Sequence, residues 1–219
     1  AHIARTAAPM FKKLSLELGG KNPNLIFADC DYEKMLNVTL KSSFANQGQI
    51  CLCGSRIFVE RSIYDKFKTA FVDKVSKSRV SNPQDPKAHL GALVSQPHMD
   101  KVLSYVQLAK EEGGTVLCGG ERVMLEGDYK DGYYVAPTVI EGLDYNCRTN
   151  QEEIFGPVVT ITPFDTEEEV LMMANSTEYG LAATVWTENL RKAHRVADEI
   201  HSGIVWVNSW LVRDLRTPF

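Results

Sequence analysis

The chain has 219 residues, of which 44% are hydrophobic, and a formal net charge of −4 from 24 basic and 28 acidic side chains. That length fills a sizeable core, so a soluble globular protein is expected, and charges so evenly mixed form no basic face to attract nucleic acid or an anionic membrane. No apolar run approaches the roughly 18 residues of a membrane span, and the opening AHIARTAAPMFKK lacks the apolar centre of a secretory signal, which makes the cytoplasm the expected compartment. Five cysteines, an odd number in a chain too large to need staples, read as reduced thiols. Cys51 and Cys53 are one residue apart while Cys30, Cys118 and Cys147 stand alone, a spacing unlike the paired ligands of zinc, so no metal is expected.

In chain order, LSLEL (14–18) alternates and stops at Gly19-Gly20, predicting a strand, and NLIF (24–27) predicts a short buried one ahead of Asp29. Leu36, Leu40 and Phe44 recur at helical spacing, predicting a helix over 31–44 with Asp31 as its N-cap. FANQGQICLCGSR (44–56) follows as a loop and RIFVE (56–60) as a strand. Ser62 and Asp65 suggest a capped helix start, and Ile63, Phe67, Phe71 and Val75 form a single apolar stripe that reads as core. A helix over 98–110 runs through Met99, Val102, Leu103 and Val106 to Gly113-Gly114, after which TVLC and YYVAPTVI read as extended. PVVTITPF (157–164) is a strand, Thr166 and Glu169 form a capping box ahead of Val170, Leu171 and Ala174, and LAATVW is extended. A helix near 189–202, with Gly203 as its C′ residue, leads into the strand IVWVN.

Strands alternating with helices of this length imply an α/β fold in one domain: a three-layer α/β/α arrangement around an open, mostly parallel sheet. In such sheets sites are expected in loops at the carboxyl ends of strands. Three loops carry suggestive chemistry: the one around Glu17, the one around Cys51, and the EEIFGP turn at 152–157. A cysteine is a nucleophile only as thiolate and needs partial exposure with N–H groups or positive charge nearby; residue type alone favours reading Cys51 as a small buried hydrophobe instead. Glu17 stands between Leu16 and Leu18 and is either a strand-end residue in solvent or a carboxylate held in apolar surroundings for use as a base.

LELGGKNP (16–23), FANQGQICLCGSR (44–56), EEIFGPV (152–158), NSTEYGLAATVW (175–186) and GIVWVNSW (203–210) stand in the order of the signatures of the aldehyde dehydrogenase superfamily, and the chain resembles that family from about residue 12 onward. The resemblance implies that Cys51, in the N-Q-G-Q-x-C loop, is the nucleophile and that Cys53 is its neighbour. It implies that Glu17 is the general base that activates water, with the backbone N–H of Cys51 as part of the oxyanion hole and NAD as cofactor. Glu153 matches the glutamate that binds the nicotinamide ribose hydroxyls and Phe155 the aromatic beside that ribose. Leu18 joins them on the cofactor side, and His98 and Lys101 fall where the family contacts the adenine ribose. Ile50, Leu52 and Phe219 are expected to line the aldehyde's path. Arg213 would grip a carboxylate at the far end of the substrate, or else serve as a surface cation pairing with Asp214 or another acid. With ICLCGSR, the loop WLVRDLRTPF (210–219) resembles the branch of 2-aminomuconic and 2-hydroxymuconic semialdehyde dehydrogenases. Dehydrogenases of neutral apolar aldehydes such as retinal, and a non-catalytic binding or structural member, are the alternatives.

By the same comparison residues 1–20 are the end of a preceding cofactor-domain segment with its link, and 21–219 are the catalytic thiol domain. The family's N-terminal NAD-binding half and its C-terminal oligomerising strand have no counterpart in the chain. An isolated chain is therefore expected to be inactive, and the full-length enzyme to be a homo-oligomer acting on a small aldehyde.

Overall fold

The computed structural model describes residues 1–214, 216 and 217. The first elements are the short helix α1 (His2–Ala7), strand β1 (Asn22–Ile26), helix α2 (Tyr32–Phe44), strand β2 (Gly54–Glu60) and helix α3 (Arg61–Ser76). Helix α4 (Gln96–Glu111), strands β3 (Thr115–Cys118) and β4 (Thr138–Glu141), and the single-turn helix α5 (Arg148–Gln151) follow. Strand β5 (Val158–Phe164), helix α6 (Glu167–Ala174), strand β6 (Ala182–Trp186), helix α7 (Leu190–Glu199) and strand β7 (Ile204–Val207) complete the order. The strands form one seven-stranded sheet, β3-β4-β5-β2-β1-β6-β7, parallel except where β3 pairs antiparallel with β4 at one edge.

Alternation along the strands builds two cores. Ile26, Ile57, Val59, Val159 and Ile161 meet Met35 and Leu36 of α2 and Phe67, Phe71 and Val75 of α3, with the Phe67 and Phe71 rings stacked at 5.0 Å. Their neighbours Leu25, Phe58, Ala183 and Val185 meet Val170 and Met173 of α6 and Val196 of α7. Helix α4 covers the rest of this second face, setting Met99, Val102 and Val106 against Ile140 and Val158. Burying each of these side chains contributes about 1.5–3 kcal/mol, which the period-two strands and 3.6-period helices direct to opposite faces of the sheet. The three-layer, mostly parallel α/β architecture expected from the sequence is the one observed. No helix of the described residues is long and apolar enough to cross a membrane.

Local signals succeed or fail for identifiable reasons. Asp31 caps α2 by accepting from the Lys34 N–H at 3.2 Å, and Thr166 caps α6 by accepting from the Glu169 N–H at 3.2 Å. The Glu169 carboxylate reaches one residue further back than a capping box requires, to the Asp165 N–H at 2.6 Å. Ser62 is not a cap: β2 runs straight into α3, the N-cap is Glu60, and the Ser62 hydroxyl donates to the Glu60 carboxylate at 3.1 Å. Helix α7 ends at Glu199 rather than near 202, and Gly203 is not its C′ residue, because Ile200 leaves the helix as extended chain and is buried. The Asn175 carboxamide closes that end, donating to the Glu199 carbonyl and accepting from the His201 N–H, each at 2.9 Å. Of YYVAPTVI only Thr138, Val139 and Ile140 belong to the sheet, in β4, since Pro137 has no N–H for the ladder.

LSLEL forms no strand. β1 is already paired on both edges, by β2 and β6, so the segment that leads into it cannot pair with it, and Leu14, Leu16 and Leu18 are 41%, 48% and 65% exposed. The turn into β1 is anchored instead by Arg56 of β2. Its buried guanidinium donates to the carbonyls of Lys21 (2.9 Å), Met173 (2.9 Å) and Ala174 (2.8 Å), and burial pushes its pKa down to about 9.

Candidate active site

The three chemistry-bearing loops converge at the amino ends of β1, β2 and β5, not at the carboxyl ends of the strands as the general rule for open sheets predicts. The carboxyl ends leave no room for a cleft: β2 runs directly into α3, and only Asp165 and Thr166 separate β5 from α6. The longer segments 12–21, 45–53 and 152–157 approach the opposite edge.

Backbone contacts explain why these segments carry glycine. A Cβ on Gly20 would lie 2.5 Å from the Cys51 carbonyl oxygen. Gly48, at φ +71°, faces Gly156 so closely that a Cβ would sit 2.1 Å from the Gly156 oxygen. Between them Asn46 and Gln47 take left-handed conformations at φ 50° and 58°. Their loop is braced by its own glutamines: Gln47 accepts from the Gly91 N–H (3.0 Å) and donates to the Ala92 carbonyl (3.3 Å), and Gln49 accepts from the Val94 N–H (3.1 Å). The N-Q-G-Q run is thus a scaffold that places the next turn, in which the Cys53 N–H closes on the Ile50 carbonyl at 3.0 Å with Cys51 at its outer corner.

An open cleft of about 590 Å³ collects Cys51, Glu17, Leu18, Ile50, Glu153, Phe155, His98 and Lys101. Glu17 reaches it as an exposed residue of an irregular segment, so the apolar strand setting expected for its carboxylate is not what places it there. The two glutamates of EEIFGP divide. Glu152 turns to Arg148 (2.8 Å) and to the Tyr105 hydroxyl, and the charged hydrogen bond from Arg148, with that from Tyr105, pulls its pKa down to about 2. Glu153 turns to the cleft and accepts from the Gly20 N–H at 2.8 Å. His98 and Lys101, one helical turn apart on α4, bind the carbonyls of this turn: His98 Nε2–H donates to Phe155 at 2.7 Å and Lys101 Nζ to Glu153 at 2.9 Å. They border the cleft and also hold the loop that carries its acid.

Leu52, expected in the aldehyde's path, is 2% exposed and packs on Ala182, Trp206 and Trp210 beneath the cleft. The period of the turn decides this: flanking the thiol in sequence, it points the other way. Arg213 is exposed, and its positive charge acts on Cys51. Asp214, considered as its partner, receives Arg216 through Nε at 3.0 Å. Phe219 lies outside the described residues.

Burial pushes the Cys51 thiol above its ordinary value; the negative charge of Glu17 and then Glu153 push the same way, while the backbone N–H of Cys51 and the charge of Arg213 oppose them. Cys53 is driven further, to about 12, by its deeper burial, and Cys30 and Cys147 to about 11 by theirs. The nearest rival to Cys51 is therefore an inert thiol. Lys21, beside the glycine pair, is 2% exposed, and burial followed by the charge of Arg56 lowers it to about 7.

The aldehyde dehydrogenase family model matches residues 1–219. The chain belongs to that family. It is 52% identical over 219 residues to the 2-aminomuconic semialdehyde dehydrogenase of Mus musculus, covering 99% of this chain and 45% of that protein. It is 48% identical over 217 residues to the 2-hydroxymuconic semialdehyde dehydrogenase of Pseudomonas putida, with the same coverage of 99% and 45%. Among solved structures, the betaine aldehyde dehydrogenase of Staphylococcus aureus in complex with NAD+ superposes with a TM-score of 0.92 at 42% identity, over 100% of this chain and 43% of that one. The chain thus spans about half the length of the relatives it matches.

Sequence reading missed two residues that hold this candidate site. Asn22 and Trp210 bind the carbonyls of the Cys51 turn, at 2.7 Å from Asn22 to Cys51 and 3.0 Å from Trp210 to Leu52. An asparagine directly before a proline and a lone tryptophan in a loop were the available signals, since each is polar or amphipathic at a place where the chain must be buried.

Proposed function

We propose that this chain supplies the thiol, base and ribose-binding carboxylate of an NAD-dependent aldehyde dehydrogenase that oxidises a semialdehyde bearing a distant carboxylate. The observation that carries the reading is the meeting of Cys51, Glu17 and Glu153 in one cleft. Cys51 Sγ adds to the aldehyde carbon, its proton leaving to a base, and the resulting oxyanion accepts from the Cys51 N–H, which faces the thiol. Burial and the negative charge of Glu17 hold the thiol above its ordinary pKa, so that proton is given up to solvent as Sγ adds, and Glu17 is kept for the water step. NAD, when bound, supplies the hydride acceptor that converts the adduct to a thioester. Glu17 then takes a proton from water as the hydroxyl attacks the thioester carbon; the tetrahedral adduct collapses with loss of the C–S bond, the carboxylic acid leaves, and Glu17 passes its proton to the departing sulfur, which restores the thiol.

The chain fits that cofactor at the mouth of the cleft. Gly19 has no Cβ, which would otherwise fall 2.6 Å from Glu153 Oε2, so this oxygen stays accessible while Oε1 is held by Gly20. A carboxylate fixed in this way, with Phe155 beside it, suits a ribose diol and limits the motion of whatever ring it orients.

Support for a carboxylated substrate comes from Arg213, whose charge acts on Cys51, and from the likeness to the two muconic semialdehyde dehydrogenases. The test is the ratio of kcat/KM for a carboxylate-bearing semialdehyde over a neutral aldehyde of matched length, in the full-length protein and in Arg213→Ala. A large ratio that falls by roughly 10- to 100-fold in the variant is expected for a lost charge-assisted pair. A ratio near one in both proteins would instead assign a general aldehyde oxidiser.

A further inference from the structure

The turn that presents Cys51 is held from beneath by one carboxamide. Asn22 Nδ2 donates to the carbonyls of Cys51 (2.7 Å) and Cys53 (2.8 Å), and its Oδ1 accepts from the Ala182 N–H (3.2 Å). Both N–H groups and the oxygen of a side chain only 4% exposed are thereby used. The carbonyl between them, that of Leu52, takes the Trp210 indole N–H at 3.0 Å, and the Ile50 carbonyl takes the Cys53 N–H at 3.0 Å.

All four carbonyls from Ile50 to Cys53 therefore have fixed directions, and a trans peptide fixes each following N–H on the opposite side. With the Ile50 carbonyl drawn into the turn, the Cys51 N–H is directed out of it, on the side of its own thiol. With the Cys51 carbonyl drawn to Asn22, neither neighbouring peptide plane can rotate without breaking a hydrogen bond that holds the turn. Asn22 is also the first residue of β1, paired with Gly54 of β2 just ahead of a register shift between Asn22 and Pro23, so the turn is tied to the start of a central strand.

We propose that Asn22 is a positioning residue for the thiol chemistry: by holding the Cys51 and Cys53 carbonyls it keeps the nucleophile and the oxyanion-binding N–H turned together into the cleft. This rests on the reading of Cys51 as the nucleophile. A side chain that merely stabilised the fold would affect how much protein is folded, not how each folded thiol reacts.

The test uses the full-length protein with Asn22→Asp, which keeps the shape and removes both donors, and Asn22→Ser, which keeps a single shorter donor and carries the measurement where Asn22→Asp does not fold. Cys51 is titrated with iodoacetamide across pH, and turnover is expressed per titrated Cys51. The expected result is an alkylation profile moved to higher pH and a kcat per thiol lower by roughly 10- to 100-fold, with KM for NAD within about twofold. A folded variant with an unchanged alkylation profile and full kcat per thiol, whatever its melting temperature, overturns the proposal. Cys51→Ser separates the two readings: turnover surviving in it overturns the thiol reading and this proposal together, whereas its loss beside an unaffected Asn22→Ser overturns the positioning role alone.

Discussion

Replacing Gly48 with alanine drives a wedge between the loop that carries the thiol and the loop that carries Glu153. Two costs add. At φ +71° an alanine sits in the left-handed region, which costs about 1–2 kcal/mol. Its Cβ would also lie 2.1 Å from the Gly156 oxygen and 2.5 Å from the Gly156 carbonyl carbon, both backbone atoms that no rotamer can move. Ordinary contact needs about 3.4 Å, so the loops must part by roughly 1.3 Å, an overpacking cost of about 1–3 kcal/mol. The total expected loss is about 2–5 kcal/mol, and a separation of that size between the Cys51 turn and the Glu153 turn should lower kcat/KM by on the order of 100-fold under the proposed function. Gly127→Ala provides the control, since Gly127 has φ +62° and nothing within 4 Å of its Cβ position, leaving only the conformational cost. Guanidinium unfolding and initial rates on both variants separate the effects. If Gly48→Ala were no less stable than Gly127→Ala and turned over normally, the close packing of these loops would not be what aligns the site.

Glu17→Gln removes the charge that most raises the Cys51 thiol after burial, so iodoacetamide should label Cys51 faster at neutral pH while steady-state turnover is lost; slower labelling would contradict the proximity of the two groups. Lys21 is lowered to about 7 from 10.5, so between those values the unfolded chain binds more protons than the folded one, and this residue makes stability rise with pH across that window. Lys21→Met should therefore be more stable than the parent at pH 7, with the advantage shrinking toward pH 10.5; an advantage independent of pH would place the lysine in solvent.

Much of the fold was legible because periodicity is a local property. The stripe Phe67, Phe71 and Val75 and the alternation of Leu25 and Ile26 are written in consecutive residues, and burying apolar surface leaves few ways to satisfy them. LSLEL shows the limit: it alternates as a strand does, but a strand exists only where a neighbour offers a free edge, and β1 has none. Of the site, the motifs identified Cys51, Glu17 and Glu153, and the cleft brings all three together.

What the chain order could not contain was the set of contacts between distant residues. Which of Glu152 and Glu153 faces the cleft depends on Arg148 and Tyr105 claiming the first. Leu52 points into the core because Trp206 and Trp210 close around it. The location at the amino ends of the strands depends on the short connections at their carboxyl ends, and the direction of the Cys51 N–H depends on a carboxamide 29 residues away in the chain. Sequence patterns state which surfaces must be buried; the hydrogen bonds that orient the Cys51 turn act across the fold, so only the tertiary structure determines them.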